Sequence, residues 1–340
     1  MLYFASDYQE GAHPSILHQL TETNFVQSPG YGTDTFCESA RKKIRLACHC
    51  PDAAVHFISG GTISNALVID GLLRPWESVL SADTGHINGH EAGAVEAWGH
   101  KISTVPNHHG KVDPAEVDAF LHTFSLDANK EHMTAPGVLY ISHPTEYGTL
   151  YTRDELLSLR NICDQYGLRM FLDGARLGYG LAACPEVDLP LLAQVCDAFY
   201  IGGTKVGCLF GEAVVLPNPQ MIPHFFTLIK KHGALLAKGR ILGIQFDTLF
   251  TDNLYMNISR HALAMADKLK TGLKAKGYTF FLETDTNQQF IVLENSKMEE
   301  LAKSVVFSFW ETLDANHTVV RFATSWATQP EAIDQLLNLL

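Results

Sequence analysis

Asp173, Arg176 and Lys205 are the residues whose types and spacing most directly suggest chemistry. MFLDGAR (170–176) ends an apolar run in a carboxylate, and AFYIGGTK (198–205) ends another in an amine. Runs of this kind read as buried strands, each delivering a charged group at its C-terminal end. Such a pair suits pyridoxal phosphate: the amine can form a Schiff base with the cofactor aldehyde, and the carboxylate keeps the pyridine nitrogen protonated so that the ring accepts electrons. Taken singly, Asp173 reads equally well as a helix cap and Lys205 as a solvated loop cation. The pair at two strand ends, with Arg176 three residues after the carboxylate, favours a site.

Other segments add parts to that site. SGGT (59–62) follows the apolar run AVHFI (54–58) and opens an apolar helical stretch. Glycine permits close backbone approach, a helix start offers free N–H groups, and Thr62 adds a hydroxyl; an ordinary strand-to-helix turn is the alternative. His86 lies in TGHINGHE (84–91), where a partly buried structural histidine is the plain reading. His86 and His90 are four apart beside Glu91, a spacing that would suit a metal on a helix, and Cys48-His49-Cys50 is superficially similar, but neither meets the rules of closed zinc sites, so no metal is expected. Arg321 follows Val319 and Val320, and arginine pairs with a carboxylate in a fixed fork geometry.

The elements that must hold these residues alternate between strand-like and helical. Strands are predicted at 54–58, 101–105, 137–142, 168–172, 197–201 and 212–216, with amphipathic helices at 114–124 and 153–166 among them. This pattern implies an α/β fold with a mainly parallel sheet, its site at the strands' C-terminal ends. Beyond Pro217 long helices are expected at 219–231 and 234–276, then strands near 278–282, 288–293 and 317–323. The expected organisation is an N-terminal segment (1–15) near a small C-terminal α+β domain (253–340), and a large cofactor-binding domain (16–252).

The chain has 340 residues, 46% of them hydrophobic, enough for a sizeable core. A net charge of −12 argues against nucleic acid or anionic membranes as partners. Seven cysteines, an odd number in apolar surroundings, argue against a disulfide framework. With no basic leader and no long apolar stretch, a soluble, cytoplasmic protein is expected.

LDGARL (172–177), GGTK (202–205), SGGT, GHINGHEAGA (85–94) and VVRFATSW (319–326) together resemble the threonine aldolase and β-eliminating lyase group of pyridoxal phosphate enzymes. The resemblance runs from about Ser6 to about Trp326. It implies the fold type I, aspartate aminotransferase-like architecture, with a seven-stranded sheet in the large domain. It also implies Lys205 as the cofactor lysine, Asp173 at the pyridine nitrogen, Gly61 and Thr62 at the phosphate, and His86 over the ring. Arg176 would line the cofactor site and, with Arg321 and Ser6, bind the substrate carboxylate. Thr204 stands where the family commonly has serine and is expected to take a phosphate contact. ISHPTEYGT (141–149) replaces the family's Asn-Thr-His-Asn stretch, so His143 or Glu146 competes with His86 as base. The implied reaction is cleavage of a β-hydroxy-α-amino acid to glycine and an aldehyde; another β-lyase or an aminotransferase is the alternative, and a non-catalytic protein of the same fold a weaker one. A homodimer or homotetramer is expected, with Tyr31 reaching the neighbour's site.

Overall fold

The computed structural model describes residues 1–340. Thirteen strands occur: β1 (Leu2–Tyr3), β2 (Ala54–Ile58), β3 (Glu77–Ala82), β4 (Lys101–Val105), β5 (Ala135–Ser142), β6 (Arg169–Asp173), β7 (Ala198–Gly202), β8 (Glu212–Leu216), β9 (Phe280–Leu282), β10 (Gln288–Glu294), β11 (Val305–Val306), β12 (Ser308–Thr312) and β13 (His317–Ala323). Seven form one sheet in the order β2-β8-β7-β6-β5-β3-β4. β8 runs antiparallel to both neighbours, and the other pairs are parallel. This is the seven-stranded, mainly parallel sheet that the resemblance implies.

Side-chain alternation divides the core into two layers. Met170 and Leu172 of β6 face one layer with Leu139, Ile141, Phe199 and Ile201, whereas Phe171 faces the other with Val138, Tyr140, Ala198 and Tyr200. Burying each such side chain contributes about 1.5–3 kcal/mol. The second layer is covered by the helices Gly61–Leu72 and Phe225–Lys231. Period-two alternation puts Asp173 on the same face as Phe171, so its carboxylate points toward the helix Gly61–Leu72.

Three expectations need correction. β3 was not among the predicted strands, because Ser78 and Ser81 interrupt its apolar run; both are fully buried, and Ser78 Oγ accepts a bond from Ser103 Oγ of β4 at 3.2 Å. The stretch 219–231 starts with a single 3-10 turn (Pro219–Met221), and its helix begins only at Phe225, after Pro223, which has no N–H to give a helix interior. The continuous helix over 234–276 is two helices, Arg240–Leu249 and Leu254–Ala275, separated where Asp252 and Asn253 take left-handed φ of 50° and 58°.

Toward the C-terminus, β12-β13-β10-β9 form an antiparallel sheet. β1 pairs with β11, and Ala323 N–H donates to Phe4 O at 2.8 Å. The N-terminal residues are thereby stitched to this sheet just before they reach the cleft. No helix is long and apolar enough to cross a membrane.

Candidate active site

Asp173 closes β6 and is 4% exposed. Its Oδ2 accepts from Tyr140 OH at 2.7 Å and from Asn65 Nδ2 at 2.9 Å, and its Oδ1 from Ala175 N–H at 2.9 Å. Burial alone would raise its pKa, but the charge of His86 and the donors Tyr200, Tyr140 and Ala175 outweigh it, so the carboxyl sits below 3.8 and stays ionised. The chain can turn there because residue 174 is glycine: a Cβ at that position would lie 1.9 Å from Tyr200 O.

Lys205 follows β7 by three residues. Burial and the neighbouring Arg176 guanidinium lower its ammonium pKa to about 8, which leaves a usable neutral fraction near physiological pH. Tyr179 OH donates to the Lys205 carbonyl at 2.5 Å and fixes the turn. Thr204 Oγ1 donates to Glu212 Oε1 at 2.8 Å, so in this arrangement its one hydrogen points away from any phosphate.

The helix Gly61–Leu72 begins at Gly60 with no side-chain cap, and Ser59, Gly60, Gly61 and Thr62 line the same cleft as Asp173 and Lys205. Its first N–H groups and positive dipole end are of the kind that suits an anion. The cleft holds about 300 Å³, and a second hollow of about 630 Å³ adjoins it through His86, Glu146, Arg176, Lys205 and Tyr8.

His86 opens a one-turn helix after β3. Its Nδ1 is 2.8 Å from Glu91 Oε1, and the same carboxylate oxygen accepts from Asn65 Nδ2 at 2.8 Å. Burial would lower the histidine pKa, but the Glu91 bond and the charges of Asp173 and Glu91 hold it above 6.5. Glu146 Oε1 accepts from His86 N–H at 3.0 Å and from Ser142 Oγ at 2.7 Å, and burial raises its pKa.

The remaining candidates divide. Arg176 and Arg321 both line the larger hollow. Arg176 already grips Asp7 with Nε at 2.6 Å and Nη2 at 3.0 Å, leaving Nη1 for a ligand. Arg321 donates to Gln288, Ala5 O and Ser308, and burial together with Arg176 lowers its pKa to about 10. Ser6 is half-buried between Ala5 and Asp7 and does not line either hollow. His143 is fully buried, accepts Tyr151 N–H, has its pKa lowered to about 4 by burial, and lies outside the cleft, so of the two alternatives in that segment only Glu146 reaches the site. Tyr31 lies elsewhere on the surface, 44% exposed, with Lys230 Nζ 4.6 Å from its ring centroid.

Asn65, Glu212 and Asp7 are the parts that sequence reasoning missed, and Glu91 was weighed only beside a metal, not as the partner of the His86 ring. Asn65 did carry a signal, a polar side chain in an otherwise apolar helix. Glu212 carried another: it starts an apolar run, and because β8 is antiparallel its first residue lies at the site end of the sheet.

A family model described as beta-eliminating lyase matches residues 4–296. The chain belongs to the β-eliminating lyase family. Among similar β-eliminating lyase relatives, the low specificity L-threonine aldolases of Pseudomonas sp. (strain NCIMB 10558) and Pseudomonas aeruginosa are 28% and 29% identical to it, each covering 98% of this chain and 95% of their own. A solved threonine aldolase structure from Leishmania major is 41% identical, with a TM-score of 0.96 over 100% of this chain and 98% of that one. A histidinol-phosphate aminotransferase from Clostridium acetobutylicum, 13% identical at a TM-score of 0.76, shares the fold. The residues present fit pyridoxal phosphate, the cofactor of this fold. An uncapped helix start suits its phosphate, the ionised Asp173 its ring nitrogen, and the buried amine of Lys205 its aldehyde.

Proposed function

We propose that this lyase cleaves a β-hydroxy-α-amino acid of the threonine, allo-threonine or phenylserine type to glycine and an aldehyde. The observation that carries the reading is one cleft in which Asp173, Lys205 and a carboxylate-held histidine converge, in a chain similar over nearly its full length to threonine aldolases.

Pyridoxal phosphate, when bound, supplies an electron sink for the pair left on Cα. Asp173 would hold a proton on the ring nitrogen, and Gly61, Thr62 and the helix start would hold the phosphate. Lys205, neutral in part because it is buried, would supply the amine that holds the cofactor aldehyde and would be the group positioned to release the product. Arg176 Nη1 and Arg321 would clamp the substrate carboxylate. The Arg176 guanidinium lowers the pKa of Arg321, a repulsion that an anion between the two would relieve. That clamp orients the Cα–Cβ bond for cleavage.

His86 takes the β-hydroxyl proton. With Nδ1 engaged by Glu91, the lone pair available in the neutral ring is on Nε2. Glu146, held by the His86 N–H and by Ser142, is the competing base. Two copies of the chain would share the site, Tyr31 of each reaching the other's phosphate end.

Threonine separates this reading from other lyase chemistry. Acetaldehyde and glycine are expected; 2-oxobutanoate and ammonia in their place would overturn cleavage at Cα–Cβ. Borohydride treatment of the cofactor-loaded protein should fix the cofactor on the Lys205 peptide, and label on another lysine would remove Lys205 from its role.

A further inference from the structure

Glu212 lies between the two turns assigned to the cofactor. It pairs with Ile58 on one side, immediately before Ser59, and with Gly202 on the other, before the Lys205 turn. The side chain is buried, at 3% exposure, and each carboxylate oxygen has one donor: Gly203 N–H to Oε2 at 2.8 Å and Thr204 Oγ1 to Oε1 at 2.8 Å. Thr204 Oγ1 also accepts Gly211 N–H at 2.9 Å.

A hydroxyl has a single hydrogen. For Thr204 to donate to a phosphate, that hydrogen must leave Glu212. Two oxygens would then face each other lone pair to lone pair at 2.8 Å with little water to separate them, an arrangement that a proton on Glu212 relieves. A phosphate ester also brings a charge of about −1.5 to −2, which disfavours an ionised carboxylate nearby. This argument rests on the cofactor reading of the cleft.

We propose that Glu212 is a positioning residue for the cofactor phosphate: it takes up one proton from solvent when the phosphate docks, becomes a donor to Thr204 Oγ1, and so turns the Thr204 hydrogen into the cleft. The surroundings allow this near neutrality. Burial pushes the Glu212 carboxyl up, the Thr204 and Gly203 bonds and Lys205 pull it back, and the balance lies at about 7. The other groups acting on it are Asp173, Lys205, Tyr200, Cys208 and Tyr255. Asp173 stays ionised, and burial holds the two phenols and the thiol protonated, so Lys205, at about 8, is the one other member that titrates in this range.

Because the proton-bearing form predominates below about 7, Glu212 should weaken phosphate binding progressively as pH rises above that value. Glu212→Gln imitates the protonated acid, with an amide N–H for Thr204 and a carbonyl for Gly203. Binding of pyridoxal phosphate and of phosphate-free pyridoxal, followed by visible absorbance, separates this effect from the titration of Lys205. At pH 8 the variant should bind pyridoxal phosphate about tenfold more tightly than the wild type, and at pH 6 the two should agree within about twofold. Pyridoxal should show no such difference. Calorimetry of the wild type in two buffers of different ionisation enthalpy should find near pH 8 about one more proton taken up with pyridoxal phosphate than with pyridoxal, a measurement that needs no variant. Equal pH dependence of the two proteins for pyridoxal phosphate, or no extra proton uptake in the wild type, would overturn the role of Glu212. Failure of both ligands to attach at Lys205 would instead overturn the reading of the cleft.

Discussion

His86 owes its character as a base to Glu91, and the pair has a pH signature. The histidine acts when neutral, so kcat/KM should rise with pH as its proton is lost, and Glu91 places that rise above pH 6.5. Glu91→Gln removes the charge that favours the protonated ring. The acid limb of the profile should therefore move to lower pH, while the plateau falls because a weaker base takes the hydroxyl proton less readily. His86→Ala should lower kcat by about a hundredfold or more with a smaller change in KM. An acid limb that stays in place in Glu91→Gln would transfer the base assignment to Glu146, whose carboxylate is bonded to the His86 backbone rather than to its ring.

At the scale of elements, the N-terminal strand and the residues after it tie the antiparallel sheet to the cleft. β1 adds to β11, Ala5 O accepts from Arg321 and Ser308, and Asp7 Oδ2 accepts from both Arg176 and Asn287. Burial would raise the Asp7 carboxyl, but Arg176, Lys205 and the two hydrogen bonds hold it at about 2 instead of 3.8. A depressed carboxylate stabilises the fold above its unfolded pKa and loses that contribution as pH falls through the folded one. Stability on the order of 2 kcal/mol should therefore disappear between about pH 4 and pH 2. Asp7→Ala should lower the unfolding free energy by about 3–5 kcal/mol, because it leaves a buried guanidinium without its anion, and should abolish that acid limb in denaturant titrations. Asp173 and Lys205 were legible beforehand because an apolar run that stops at a charge is visible in one dimension. Asp7 was not, since it meets its partner only through tertiary folding, reaching Arg176 from 169 residues away; Asn65, a polar side chain in an apolar helix, carried a signal but no hint of its partner Asp173, 108 residues on. β3 was hidden for the related reason that its serines are buried by context, whereas the break near residue 252 falls on Asp252 and Asn253, residue types that tolerate left-handed backbone and so did carry a signal.

At the scale of the whole molecule, the surface where Tyr31 stands supports the proposal that it serves a neighbouring copy. Phe226 lines one hollow with Tyr31 and is exposed, and Phe25, 95% exposed, and Val26 lie a few residues before Tyr31 in the chain, apolar side chains that would suit burial against a second copy. Tyr31 is held there by its backbone: its N–H donates to Ala237 O at 3.0 Å, and its φ of 60° is the left-handed value that few non-glycine residues adopt. A ring presented in this way, outside its own cleft, can complete the site of a neighbour. Tyr31→Ala and Lys205→Ala should then each be nearly inactive alone, the first through weakened cofactor binding and the second through loss of the attaching amine. Dissociated, mixed and reassembled in equal amounts as dimers, they should recover about a quarter of wild-type activity, since half the pairs are mixed and each mixed pair contains one site with both residues intact. Sedimentation should find the active species larger than one chain. No recovery on mixing, or full activity in a monomer, would confine Tyr31 to its own subunit and leave the cleft around Lys205 complete within one chain.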